Sequence, residues 1–322
     1  MIIDSRRLID RALSRLMSDE CKRDIAKSLE EPMTRERVEM LSMETYGLPY
    51  PVDHFYLPLA RPERIIEYNV DREPCVPVDS FLNMDRIYSF LEQIGFTEEE
   101  ATDVPDWTEV HGLGYGLGYP GIDAYIYHAA VSKLAPPTVV EIGSGMSAYY
   151  AKLALARSGG HKDRLFCFEP FPAENFAVFC GEEGIPLIRE RLEAIDPDKI
   201  ISKIRPGSVL FVDSTHAFRS DGELPRILLR ILPNLPAGCY VHFHDIFLPY
   251  AVIHREHNAF SFSHVWNESI ALAAFLSGRN DFEVVLPAYW MGRHHMKEMV
   301  PHLPWLKEHK MTGSAFWIRK TR

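Results

Sequence analysis

From about residue 120 onward, short apolar runs rich in β-branched residues alternate with longer stretches of mixed polarity. Residues 138–142, 164–168, 185–188, 208–212 and 238–243 read as buried strands, and 148–156, 173–183 and 222–232 as the helices between them. Strands that are apolar throughout, joined by crossover helices, predict a parallel α/β sheet covered on both faces. A helix over 122–134 leads into the first strand. Beyond 245 the periodicity lapses, then returns as an apolar helix from Glu268 through Leu276 and two further strands at 282–286 and 315–319. The stretch between those two strands is too long for a tight hairpin and predicts a helical insertion.

The first 110 residues lack this alternation. Ile9, Leu13, Leu16 and Met17 recur at helical spacing, so 5–17 reads as an amphipathic helix, 19–30 as a second, and Thr34 opens a third. Prolines at 49, 51, 58, 62, 74 and 77 then favour extended loops, and 79–95 is helical again. The chain is therefore expected to divide into a helical, proline-rich accessory region over 1–110, acting as a lid, a dimer arm or a structural flank, and a ligand-binding α/β domain over 111–322.

The first strand ends in Gly143-Ser144-Gly145-Met146-Ser147-Ala148, where the chain turns into a helix. Such a turn presents free backbone N–H groups to a ligand, and its glycines allow close approach. The spelling also fits the dinucleotide fingerprint G-x-G-x-x-A. Glu141, two residues before the first glycine, tilts the reading toward a cationic ligand such as S-adenosylmethionine, with its amino group and sulfonium. Glu169 follows the second strand, 24 positions after Gly145, where an acid accepts hydrogen bonds from adenosine ribose hydroxyls. The cofactor set is then Glu141, Gly143, Ser144, Gly145, Ser147, Glu169 and Asp213. Arg191-Leu192-Glu193 falls where an adenine would rest, and the glycine-rich loop 111–121 would fold over the cofactor through Tyr115 or Tyr119.

Two neighbouring strands end in Asp213-Ser214-Thr215-His216 and His242-Phe243-His244-Asp245. Catalytic groups of open parallel sheets gather at this edge. His216 or His244 would serve as a general base, with Asp213 and Asp245 orienting them. Alternatively Asp213 with Asp245, helped by one of the histidines, would hold Mg²⁺ or a transition ion, or the four residues would only cap strand ends.

Composition narrows the partners. Thirty-five basic against 45 acidic residues leave a formal charge of −10, which disfavours nucleic acid and anionic membrane and favours a small-molecule substrate. The five cysteines form no C-x-x-C pair, a usage expected of reduced thiols in the cytoplasm, and no apolar run is long enough for a membrane span. No hydrolase elbow with a plausible triad and no Walker-type loop is present. A homo-oligomer stays open.

Residues 120–290 resemble the class I S-adenosylmethionine-dependent methyltransferases, nearest to the bacterial branch of macrolide-sugar O-methyltransferases and cephalosporin-hydroxylase-like proteins of secondary metabolism. The likeness is carried by Glu141-Ile142-Gly143-Ser144-Gly145, by Leu210-Phe211-Val212-Asp213-Ser214-Thr215-His216, and by Val241-His242-Phe243-His244-Asp245-Ile246-Phe247-Leu248-Pro249 with Trp266-Asn267-Glu268. It implies a Rossmann-like, seven-stranded sheet whose last strand inserts antiparallel, and methyl transfer to an oxygen, or less readily a nitrogen, of a small metabolite. In metal-dependent relatives an acid after the fourth strand and an acidic pair after the fifth hold Mg²⁺, which the resemblance maps onto Asp213, His244 and Asp245; here the first member of the pair is a histidine. A nicotinamide-dependent oxidoreductase and a noncatalytic binding protein on the same fold are the alternatives.

Overall fold

The seven apolar runs pair into one sheet because the central ones are buried on both faces and leave their backbone no partner but a neighbouring strand. In the computed structural model, residues 62–116, 119–257, 266–307 and 313–322 are described. The strands are β1 (Val139–Ile142), β2 (Leu165–Phe168), β3 (Leu187–Ile188), β4 (Val209–Val212), β5 (Tyr240–Phe243), β6 (Phe282–Pro287) and β7 (Phe316–Lys320), in the order β3-β2-β1-β4-β5-β7-β6. All pairings from β3 through β5 are parallel, and β7 inserts antiparallel between β5 and β6. This is the Rossmann-like methyltransferase sheet that the resemblance implied.

Register aligns the strand ends. Ile142 pairs with both Phe168 and Val212, and Val212 pairs with Phe243. Gly143, Glu169, Asp213 and His244 therefore stand one step past the sheet on a single edge. The order reverses between β1 and β4, and ligands of open α/β sheets bind at that reversal.

Helices α1 (Met84–Ile94), α2 (Gly121–Leu134), α3 (Met146–Ala156), α4 (Glu174–Glu183) and α5 (Glu268–Leu276) supply much of the cover. The continuous helix expected over 79–95 is broken: Asn83 caps α1 by accepting the Arg86 N–H at 3.0 Å, leaving only a single turn at Val78–Phe81 before it. Its buried face, Ile87, Phe90, Leu91 and Ile94, packs Phe90 onto Tyr240 and Trp317 at 5.6 and 5.9 Å. Each such side chain contributes roughly 1.5–3 kcal/mol of burial. Part of the stretch expected to be extended is also helical, Pro62–Glu67, because proline suits the first position of a helix.

The insertion between β6 and β7 is helical as expected, at Ala288–His294, Met296–Met299 and Pro304–Lys307. The helices expected over 5–17, 19–30 and from Thr34 lie outside the described residues. No described helix is long and apolar enough to cross a membrane.

Candidate active site

Gly143 leaves β1 with φ +79°, a left-handed conformation that disfavours any side chain. Space forbids one as well, since a Cβ there would lie 1.6 Å from the Asp213 carbonyl oxygen, and one on Gly145 would lie 2.7 Å from that of Tyr115. The two glycines thus let the β1 turn pass against the β4 end on one side and the 111–121 loop on the other. No side chain caps the N-terminus of α3, which Gly145 opens, and no acid stands in its first turn. Its free N–H groups and positive dipole end suit an anionic group.

This turn is one wall of a cavity of about 340 Å³, closed by Tyr115, Gly116 and Tyr119 on one side and by Glu169, Asp213, His216 and Asp245 on others. A second cavity of about 230 Å³ shares Gly143, Glu169, Phe171 and Asp213 and extends to Arg191, Leu192 and Glu193. Of the expected cofactor residues, Gly143, Ser144, Gly145, Ser147, Glu169, Asp213 and Tyr119 all line the larger space. Glu169 turns toward the glycine turn: its carboxylate accepts the Ser144 N–H at 3.3 Å and the Phe171 N–H at 2.7 Å. Tyr119 is wall rather than cover, buried with its hydroxyl on the Asp123 carbonyl and its ring edge-on to His244 at 5.0 Å. Tyr115 packs against Phe179 at 4.9 Å; residues 117 and 118 of the same loop lie outside the described residues.

Glu141 does not reach the cavity, and the expectation that it faces a cationic ligand is corrected here. Its side chain points between α2 and α3, is fully enclosed, and accepts the Tyr127 hydroxyl at 2.9 Å and the Ser147 hydroxyl at 3.0 Å. Burial, outweighing those two hydrogen bonds, pushes its carboxyl up to about 8, so the acid is largely neutral at pH 7. Its work is to brace both helices against β1.

The strand-end cluster assembles. His216 Nε2 lies 3.4 Å from Asp213 and 3.8 Å from Asp245, and His244 Nδ1 lies 3.3 and 3.7 Å from the same two carboxylates. His216 and Asp245 both hold left-handed backbone, φ +58° and +55°, uncommon outside glycine and costing of order 1–3 kcal/mol each. Two such residues facing one cavity mark where the fold has accepted strain. Burial favours a neutral His216, but hydrogen bonds to Asp213 and Glu268 outweigh it and raise the ring to about 10. Asp213, buried against both imidazoles, stays well below the usual carboxylate range.

His244 differs. It is 1% exposed, lines neither cavity, and places Nε2 3.4 Å from the enclosed Asp123. Burial opposes its charge, but Asp245, Asp213 and Asp123 together hold it protonated. Sealed from the cavity, it is not placed to take a proton from a substrate, whereas His216 lines that cavity. Of the expected metal set, Asp213 and Asp245 line the cavity and His244 does not. Among the described residues no group of three or more His, Cys, Asp or Glu side chains is arranged to hold a metal ion.

Two residues of the network had no assigned role. Asp123, fully buried in α2, accepts the Ser314 and Ala315 N–H groups at 2.9 and 3.0 Å and so joins α2 to the start of β7; Ser314 Oγ in turn donates to Asp245 at 2.8 Å. Glu268 bonds His216. Each is the lone acid in its helix, which was the available signal.

Sheet order and glycine turn are those of the Rossmann-like methyltransferase fold. A family model described as "Methyltransferase domain" matches residues 140–246, from β1 to just past β5. No curated protein matches the chain. Among solved structures it is similar to the O-methyltransferase TomG from Streptomyces achromogenes, involved in tomaymycin synthesis and in complex with S-adenosylmethionine. That likeness has 16% identity and a TM-score of 0.40, covering 90% of this chain and 100% of that one. An O-methyltransferase from Bacillus cereus in complex with S-adenosylhomocysteine gives 13% identity, 80% and 97% coverage, and a TM-score of 0.42. The Burkholderia thailandensis 1,6-didemethyltoxoflavin-N1-methyltransferase gives 16%, 85% and 95%, and 0.37. Likenesses at these scores carry no argument about this chain's chemistry, which rests on its own residues.

Proposed function

We propose that this chain transfers a methyl group from S-adenosylmethionine to a hydroxyl oxygen of a small molecule, with His216 as the general base. One observation carries the reading: the glycine turn, Glu169 and His216 line one cavity, so donor site and proton acceptor share a single space. The residues present suit the donor. The uncapped start of α3 suits its carboxylate, Glu169 accepts from ribose hydroxyls, and Arg191 and Leu192 flank the space for the base.

When bound, S-adenosylmethionine supplies an electrophilic methyl on a positively charged sulfur. Displacement at such a carbon needs alignment and a deprotonated acceptor. Asp213, Asp245 and Glu169 give the cavity a negative lining that favours the sulfonium. His216 Nε2 takes the acceptor's proton as the C–O bond forms only in molecules whose ring has first lost its Nε2 proton, so turnover should climb with pH toward the ring's midpoint of about 10. An imidazole in this setting favours oxygen over nitrogen acceptors, because a neutral amine attacks without prior loss of a proton.

The test is calorimetric titration of the full chain with S-adenosylmethionine, S-adenosylhomocysteine and NAD⁺. Micromolar binding of the two sulfur ligands is expected, weakened roughly 10- to 100-fold by Glu169→Ala, the loss of hydrogen bonds to a charged group. Binding of NAD⁺ instead, or of none of the three, overturns the proposal.

A further inference from the structure

Glu268 opens α5, whose sequence Glu-Ser-Ile-Ala-Leu-Ala-Ala-Phe-Leu contains no other charge. The residue is 1% exposed. A carboxylate withdrawn from water this far is unfavourable unless paired, and Glu268 has one strong partner: its Oε2 lies 2.7 Å from His216 Nδ1, while Oε1 has no hydrogen-bond partner. Burial raises its carboxyl above the usual range, opposed by the His216 contact and by its place in the first helical turn near the positive dipole end.

The two preceding residues grip the same loop. Trp266 stacks on the His216 ring, centroids 4.3 Å apart at 29°, and the Asn267 side chain accepts the Phe218 N–H at 2.7 Å and donates to the Phe218 carbonyl at 3.4 Å. Three consecutive residues thus hold the imidazole by one face, one edge and its following backbone. The free edge carries Nε2, directed toward Asp213 at the β4 end and Asp245 at the β5 end, where both carboxylates and the ring line the cavity.

We propose that Glu268 is the positioning residue of the site: it accepts the Nδ1 proton of His216, fixes the tautomer that leaves Nε2 to face the acceptor, and stabilises the imidazolium formed on proton transfer. This rests on His216 as the base. The proton leaving the acceptor oxygen binds Nε2, the Nδ1 proton stays hydrogen-bonded to Glu268, and no proton passes to the carboxylate. Asp213, Asp245 and, behind them, His244 also face this ring, so Glu268 contributes one part of its electrostatic surroundings and the whole of its Nδ1 contact.

The test is ¹⁵N-histidine NMR of the full chain, wild type and Glu268→Gln, Glu268→Asp and Glu268→Ala variants, with His216→Gln assigning the signal. No acceptor is required. In the wild type, Nδ1 of His216 should be protonated throughout, with Nε2 the titrating nitrogen. Glu268→Gln, which keeps the shape and loses the charge, should lower the ring's titration midpoint by about one to two units, Glu268→Ala should mix the tautomers, and Glu268→Asp should fall between. A residue that merely anchored α5 would leave tautomer and midpoint as they were. Should Glu268→Gln fail to fold, the wild-type spectrum decides: an Nε2-protonated neutral ring overturns the assignment. Unchanged His216 titration in a folded Glu268→Gln protein also overturns it. Donor titration of the same samples is read separately, so loss of S-adenosylmethionine binding would indict the methyltransferase reading and leave the tautomer result standing.

Discussion

Replacing Gly143 with alanine tests how closely β1 and β4 must meet to form the site. Two costs add. An L side chain at φ +79° costs about 1 kcal/mol. The new methyl would begin 1.6 Å from the Asp213 carbonyl oxygen, where contacts below 3.0 Å are essentially never seen, so the turn and strand end must part by about 1.4 Å, the difference of those two distances. That movement strains Gly143 N–H to Phe168 at 2.9 Å and Asp213 N–H to Ile142 at 2.8 Å, the hydrogen bonds that carry the strand ends into the site. Overpacking of this kind costs about 1–3 kcal/mol, giving a total of roughly 2–4 kcal/mol. A domain this large should lose roughly 4–16 °C in Tm. Gly159→Ala is the control: its φ is +102° but nothing lies within 4 Å of its Cβ, so it should lose only the backbone part. Thermal unfolding of both variants and S-adenosylmethionine titration of both form the assay. Equal Tm losses, or a Gly143→Ala protein that binds the donor as well as wild type, would refute the argument that close backbone approach builds the site.

Other consequences concern the buried acids and the base. Because the folded carboxyl of Glu141 titrates near 8 against an ordinary 4.5, the folded state holds its proton more tightly; this contribution is greatest below pH 4.5 and is lost as pH rises through 8, by up to roughly 5 kcal/mol. Glu141→Gln should therefore gain stability relative to wild type as pH climbs from 5 to 8 in urea unfolding, and parallel curves would show the acid to be ionised. His216 moves the same way, although its favoured form is the charged one: that stability is complete below 6.5 and disappears as pH rises through about 10. A positively charged donor in the same cavity should lower this midpoint by about a unit while neutral S-adenosylhomocysteine does not, as read by ¹⁵N NMR; identical shifts with both ligands would place the sulfonium elsewhere. Asp71, buried in a bidentate pair with Arg255 and held down at about 2, ties the Pro62–Glu67 helix region to the chain after β5. Asp71→Asn should cost about 2 kcal/mol in thermal unfolding with donor affinity unchanged, and an unaltered Tm would make the pair incidental.

The sheet was legible because buried parallel strands write themselves as continuous apolar runs and their ends fall on glycine or acid. Asp213, His216 and Asp245 could be read as neighbours for the same reason: register alone carries adjacent strand ends to one edge. What the sequence does not write is which way a side chain points past that edge. Glu141 and Glu169 are both acids at strand ends, yet one is sealed between Tyr127 and Ser147 and the other lines the cavity, a difference set by helix packing many residues away. His216 and His244 look interchangeable in sequence. They separate only because the chain after β4 bends back through a left-handed residue, and because Asp123, from a helix that precedes the sheet, closes over the second ring. The pairing of Glu268 with His216 spans 52 positions and crosses β5, and no local periodicity encodes it. A lone acid at the head of an apolar helix is nonetheless costly to bury, so each such residue in a chain of this kind already asks which base or cation it was placed to meet.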